Sequence, residues 1–347
     1  IGRLVGSEMC IRDRIQCFNT CLQIAAPAVL FKSEAIVHPD EVAQYIDKQE
    51  CQLSYNPLMM ALMWESLATR ETKLLTASLR KSFEISDQCS WVSYIRCHDD
   101  IGWTFDDAVA EQLGINGYDH RRFLNQFYTG KFEGSFSQGV PFQENPTTGD
   151  CRVCGSLASL AGLEKAIEAD DSQAIEFALK RIRLLNSINL SIGGIPLIYQ
   201  GDELGILNDH SYLGDEFKRD DARWVNRPSI TDKAIEQARE KGTYQNRIWS
   251  DLNQLVAIRQ SHPELGNAKT EILETYRSQL FAYCRTNAKG EQLLALCNFG
   301  EMEQTIPASI CDILGTRQTK DLLSGKHFLG DEIVLSAYDV LWLKVSA

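Results

Sequence analysis

The sequence predicts an α/β fold in which half of a parallel (β/α)8 barrel is followed by a small antiparallel all-β domain. Three observations carry this. Short apolar segments at 26–32, 51–55, 91–97 and 195–200 read as buried strands separated by helix-length stretches. Two of them run into acidic residues, Glu34 and the His98, Asp99, Asp100 run, and the carboxyl ends of barrel strands are where such groups gather. From Lys269 onward, short strands alternate with turns, at 279–285, 292–299, 332–337 and 340–345. A complete barrel takes about 250 residues and eight strand-helix units, so four strands before residue 266 make half of one.

The elements follow in order. The strand at 26–32 delivers Glu34 into a loop. Asn56-Pro57 ahead of Leu58 reads as a helix start, with Asn as cap and Pro in the first turn, running to Thr69. After Trp103 a Gly, Asn and Asp-rich stretch extends to about Gly155, too long for a simple strand-helix connection. Residues 172–191 have apolar positions at helical spacing, and Gly193-Gly194 stops that helix before the strand at 195–200. A second long amphipathic helix is predicted over 244–260. No internal repeat or low-complexity tract is present.

Composition narrows the function. At 347 residues and 44% hydrophobic content the chain can bury a large core and is expected to hold more than one domain. A net charge of -12 and a pI near 5.1 argue against a nucleic-acid partner, which draws on clustered Lys and Arg. The longest apolar run, 24–31, is broken by Pro27 and falls far short of the roughly 20 residues of a membrane span. Eleven irregularly spaced Cys read as buried hydrophobes of a reducing cytoplasm rather than a disulfide framework. Cys151 and Cys154 form a single CxxC without a partner pair, so no metal site and no cofactor is expected.

The residue types at the strand ends suit glycosyl transfer. Breaking an acetal needs a carboxylic acid to protonate the leaving oxygen and negative charge near the anomeric carbon as it becomes cationic. Glu34 suits the first role, and His98 with Asp99 suits gripping sugar hydroxyls through hydrogen bonds that tighten in the transition state. Taken singly, Glu34 reads as a solvated loop residue, His98 as a satisfied polar group, and Arg121 and Arg152 as simple counter-charges on an acidic protein. Trp103 and Trp224 read as core packing before they read as sugar platforms.

Seven segments reverse those single-residue readings by occurring together and in order. They are FKSEAIVHPD (31–40), CQLSYNP (51–57), YIRCHDDIGWTF (94–105), YDHRRF (118–123), GVPFQENPTTGDCRV (139–153), GGIPLIYQGDELGILND (193–209) and DDARWVNRP (220–228). This series resembles glycoside hydrolase family 13, the α-amylase family, and within it the amylosucrases, from about residue 15 to the C-terminus. The resemblance implies Glu34 as general acid/base, Asp99 as the carboxylate that binds the glucosyl ring and stabilises the transition state, and His98 as its neighbour on the donor sugar. It implies that Arg223 closes the donor pocket through a salt bridge, and that Asp100, Arg121, Arg152, Gln143, Glu50 and Ile36 shape the acceptor side. It also implies that 104–155 is an insertion after the seventh barrel strand, that 15–265 is the second half of the catalytic barrel, and that 266–347 is a C-terminal β-sandwich. Sucrose as donor and an α-glucan as acceptor follow from the same likeness.

The family nucleophile is an Asp that precedes the acid/base segment, two residues after an Arg, and the 33 residues before Glu34 hold no matching segment. Arg219-Asp220-Asp221 has the bare spacing but sits in a charged loop. The chain opens at Ile1, and 1–14 has no counterpart in the family, so it is expected to be a non-native extension. The expectation is therefore the C-terminal portion of a sucrose-using glucosyltransferase, inactive in isolation. A sucrose hydrolase or other α-glucosidase of the same family, and a non-catalytic carbohydrate-binding remnant, stand as the alternatives.

Overall fold

The computed structural model describes residues 2–34, 45–314, 319–328 and 333–345. The first part runs α1 (Gly2–Ala25), β1 (Lys32–Ser33), β2 (Leu53–Tyr55), α2 (Pro57–Thr69), α3 (Lys73–Leu79) and β3 (Ser90–Tyr94). An excursion follows, with α4 (Asp107–Gln112), α5 (Gly117–Tyr128) and the hairpin β4 (Val140–Phe142) and β5 (Arg152–Cys154). The chain returns through α6 (Leu157–Leu160), α7 (Leu163–Glu168), α8 (Ser172–Ser191) and β6 (Ile195–Leu197). Two 3-10 turns, His210–Gly214 and Ala222–Asn226, then lead to α9 (Asp232–Arg239) and α10 (Tyr244–Ser261). The last part holds β7 (Ala268–Leu273), β8 (Leu280–Asn287), β9 (Gln292–Asn298), β10 (Gln304–Thr305), α11 (Ala308–Leu314), β11 (Thr319–Asp321), β12 (His327–Phe328), β13 (Val334–Leu335) and β14 (Val340–Val345).

Strands β1, β2, β3 and β6 form one parallel sheet in chain order, with Ser33 beside Ser54, Ser54 beside Trp91 and Val92 beside Ile195. The strands are shorter than the apolar runs that predict them. The first run loses its beginning because α1 continues through Ala25 and the chain then turns at Pro27, which leaves Val29 and Leu30 exposed. Helix α1 also crosses residue 14 without a break, so the expected boundary there falls inside one helix.

Helix α2 starts as its sequence dictates. The Asn56 side chain accepts from the Met59 amide at 3.0 Å and Pro57 occupies the first turn. Residues 57–68 of this helix are all buried, which its apolar residues on every side require. Helix α8 is capped by Asp171 and ends ahead of Gly193 and Gly194, whose φ angles are +120° and +77°. A Cβ on Gly194 would lie 2.5 Å from the Trp91 carbonyl oxygen, so β6 reaches β3 only over bare backbone.

The C-terminal part is a six-stranded sheet, order β12, β11, β14, β9, β8, β7, all antiparallel, plus the two-stranded β10 and β13. Along β8 the side chains alternate between two cores. Phe281 and Tyr283 join the main core of α2, α8 and α10, while Leu280, Ala282 and Cys284 face a smaller one with Ile306, Ile310 and Leu335. The main core is thus continuous across residue 266. Buried Arg285 stitches the same junction, donating to the Ile192 carbonyl at 3.1 Å and the Gly266 carbonyl at 2.7 Å. No described helix is long and apolar enough to cross a membrane.

Candidate active site

The C-terminal ends of three of the four parallel strands open onto one shallow cleft, lined by Glu34 after β1, Tyr55 at the end of β2, and Tyr94, His98 and Asp99 at and beyond the end of β3. Parallel strands all present this end to the same side, so residues distant in sequence meet there. A carboxylate oxygen of Glu34, a ring nitrogen of His98 and a carboxylate oxygen of Asp99 lie within 4.8 Å of one another. Glu34 and His98 are exposed and their side chains make no hydrogen bond or ion pair among the described residues; Asp99 is half-buried. Three groups with free bonding capacity therefore point at one space.

Asp99 is held from the side by Arg223, whose Nη1 lies 2.8 Å from Oδ1. The same guanidinium grips Asp221 with two bonds, Nε to Oδ1 at 2.9 Å and Nη2 to Oδ2 at 3.0 Å. Burial works to raise the Asp99 pKa, but the hydrogen bond and charge of Arg223, with help from His98, hold it below the ordinary carboxylate value. Asp99 is thus a fixed anion at neutral pH. Next to it, Asp100 is buried and its pKa is pushed up by that burial, against Arg152 at 3.2 Å. A single divalent ion could reach Glu34, His98 and Asp99 together, yet Arg223 already occupies one oxygen of Asp99, and an open mouth with three hydrogen-bonding groups suits a neutral polyol.

The structure brings Glu34, His98, Asp99, Asp100, Arg223 and Arg152 into one neighbourhood and places the other expected site residues elsewhere. Arg121 braces the 103–107 segment, donating to the carbonyls of Trp103 at 3.1 Å and Phe105 at 3.0 Å and pairing with Asp107 at 2.7 Å. Glu50, expected on the acceptor side, is fully buried and accepts from Arg12 Nε at 2.9 Å and Gln16 Nε2 at 2.8 Å, because α1 lies over it. Gln143 is an exposed residue at φ +52° directly after β4, outside the cleft lining. Ile36 lies outside the described residues. Trp103 is core, stacked on Tyr128 with its indole N–H on Asn125 at 2.7 Å, while Trp224 has Lys218 and Arg227 over its ring at 4.7 and 5.5 Å. The hairpin carrying Arg152 is pinned to the site by main-chain bonds between Ile101 and Val153, 2.8 and 3.1 Å.

Sequence reasoning missed the residues beneath the His98-Asp99 turn. Arg96 is buried, pairs with Asp202 at 2.7 Å and donates to the carbonyls of Cys97 at 3.1 Å and Asn226 at 3.2 Å. Arg227 Nε donates to the His98 carbonyl at 2.6 Å. Their signal was present in YIRC, GDE and NRP, but a charge next to an acidic run does not reveal that it serves main-chain carbonyls. A larger cavity, about 1030 Å³ with its open mouth, lies around Glu65, His120 and Phe123. There the one buried acid, Glu65, is already occupied by His120 at 2.9 Å, so the reactive groups belong to the smaller cleft.

Comparison with known proteins gives the same kind of answer. No protein-family model matches the chain. Glucosylglycerate phosphorylase of Escherichia coli K12 is 24% identical over 333 residues, covering 95% of this chain and 55% of the relative. Trehalose synthase of Thermus thermophilus is 20% identical over 303 residues, covering 80% and 27%. Among solved structures, a variant of AmyP in complex with maltotriose superposes with a TM-score of 0.59 at 11% identity, over 96% of this chain and 62% of that one. The chain thus spans between about a quarter and three fifths of the length of these relatives. The homologues are enzymes of glycoside hydrolase family 13, and the structural neighbours are amylase-type barrel enzymes with a C-terminal all-β domain.

Proposed function

We propose that this chain is the C-terminal portion of a retaining glucosyltransferase that takes glucose from sucrose, releases fructose and elongates an α-glucan, its four parallel strands being the second half of a (β/α)8 barrel. The observation that supports this reading is the convergence of Glu34, His98 and Asp99 on one cleft at the strand ends. Glu34, open to solvent and unpaired, protonates the fructosyl oxygen as the glycosidic bond breaks and later takes a proton from the acceptor hydroxyl. Asp99, kept ionised by Arg223, binds the glucosyl hydroxyls and lies against the positive charge that develops at the ring. His98 adds a hydrogen bond on the same sugar face.

Retention requires a carboxylate nucleophile, and the cleft's remaining carboxylate, Asp100, is buried against Arg152. Among the described residues the covalent step is assigned to none of the three, and on this reading the 347-residue chain binds sugar without turning it over. A second reading passes the glucosyl group to phosphate; the name of the E. coli relative favours it, and exposed Arg152 offers an anion a partner.

The test incubates the purified chain, and the same residues as the C-terminal part of a complete barrel, with sucrose, glycogen and phosphate, and separates the products by chromatography. The chain alone should release no fructose. The complete barrel should release fructose and lengthen glycogen, and Glu34→Gln should abolish both. Turnover by the chain alone overturns the missing-nucleophile reading. Glucose 1-phosphate favours the phosphorylase, and free glucose without longer glucan favours a hydrolase.

A further inference from the structure

We propose that Arg227 is a positioning residue for His98 and Asp99: it holds the main chain of their turn so that both side chains face Glu34. The proposal rests on the reading of the cleft as the glucosyl site. Two consecutive carbonyls of the turn are held by side chains rather than by a strand partner. Cys97 accepts from Arg96 Nη1 at 3.1 Å and from Asn226 Nδ2 at 3.5 Å, and His98 accepts from Arg227 Nε at 2.6 Å. The strand β3 ends at Tyr94, and beyond it the segment is anchored at Ile95 by Trp64 and at Ile101 by Val153, so between those anchors these donors are what hold the Cys97 and His98 carbonyls.

Arg227 is itself well placed to give direction. It follows the one-turn 3-10 helix Ala222–Asn226, at φ -119° and ψ 52°, and Pro228 after it disfavours the α region there. Its guanidinium lies 5.5 Å from the Trp224 ring centroid and makes no ion pair among the described residues. The guanidinium acts on Asp221 only through its charge and donates its hydrogen bond to a carbonyl one residue before Asp99. That same short helix carries Arg223, which fixes the Asp99 carboxylate at 2.8 Å. Residues 223 and 227 therefore clamp the turn twice from one short segment, once through its side chain and once through its backbone. Lys at position 227 would keep the charge but lose the flat Nε donor.

The experiment uses the 347-residue chain and the variants Arg227→Gln and Arg227→Lys, with Lys233→Gln as an exposed control on α9. Circular dichroism and thermal melting report the fold, NMR of the His98 ring nitrogens reports the turn, and a sucrose titration reports binding. Arg227→Gln should keep the wild-type spectrum, displace the His98 ring signals and weaken sucrose binding about tenfold, the scale of one charge-assisted bond. Arg227→Lys should displace the same signals, and it answers the question if the Gln variant does not fold. Unchanged His98 signals together with unchanged binding in a folded Arg227 variant overturn the proposal and leave the glucosyl reading standing. Absence of sucrose binding by the wild-type chain overturns that reading instead, while the His98 signals still decide the role of Arg227.

Discussion

At Asp99 two opposing influences meet, and the arginine wins. Burial disfavours the charged carboxylate, but Arg223 at 2.8 Å holds the folded-state pKa below the ordinary value. The pair therefore stabilises the fold above the unfolded pKa of about 3.9, and that contribution is lost as pH falls through the lower folded value. In Arg223→Gln the Asp99 pKa should rise, so acid destabilisation should begin at a higher pH; carbon-detected NMR titration of the Asp99 carboxyl measures it directly. The meeting of Glu34, His98 and Asp99 was legible because each lies just past a strand of one parallel sheet, and parallel strands deliver the residues beyond their tips to a common end. Glu50 and Gln143 were not legible, because helix α1 decides the surroundings of one and a hairpin turn those of the other.

Beside strand pairing, one buried ion pair joins distant elements. Arg96 at the end of β3 meets Asp202, five residues past β6, with both side chains nearly inaccessible, and burial pushes Asp202 up to about 6 despite the arginine. Because this folded value lies above the unfolded one, the contribution of Asp202 declines as pH rises from about 3.9 toward 6. Arg96→Leu removes its counter-charge and should cost about 3–5 kcal/mol at pH 8, and less at pH 5, where Asp202 is protonated. Denaturant unfolding at both pH values checks the order. Helices α2, α8 and α10 were legible almost to the residue from capping and periodicity. The strands were overextended, because an apolar run does not say where pairing stops; Pro27 delays the start of the first, and the last begins at Ile195 as expected but stops at Leu197.

For the molecule as a whole, the four-stranded sheet leaves the outer edges of β1 and β6 without strand partners among the described residues. Ile195 on β6 is 47% exposed, and Val29 and Leu30 ahead of β1 are 45% and 52% exposed. Unpaired edges beside apolar side chains promote association, so light scattering after size exclusion should show a mass that grows with concentration. Ile195→Lys should reduce it, and a monomer that melts in one sharp transition would contradict the expectation. The change of pattern near residue 266 was legible as a shift from helices to short strands. Not legible was that one hydrophobic layer runs through that point, since Phe281, Tyr283 and Trp342 gain their partners only in three dimensions. In evolutionary terms, residue 266 is a poor place for genes to recombine: a crossover there would unite two half-layers shaped by different histories, and only donors whose α8 and α10 surfaces travelled together with the C-terminal strands would yield viable chimeras.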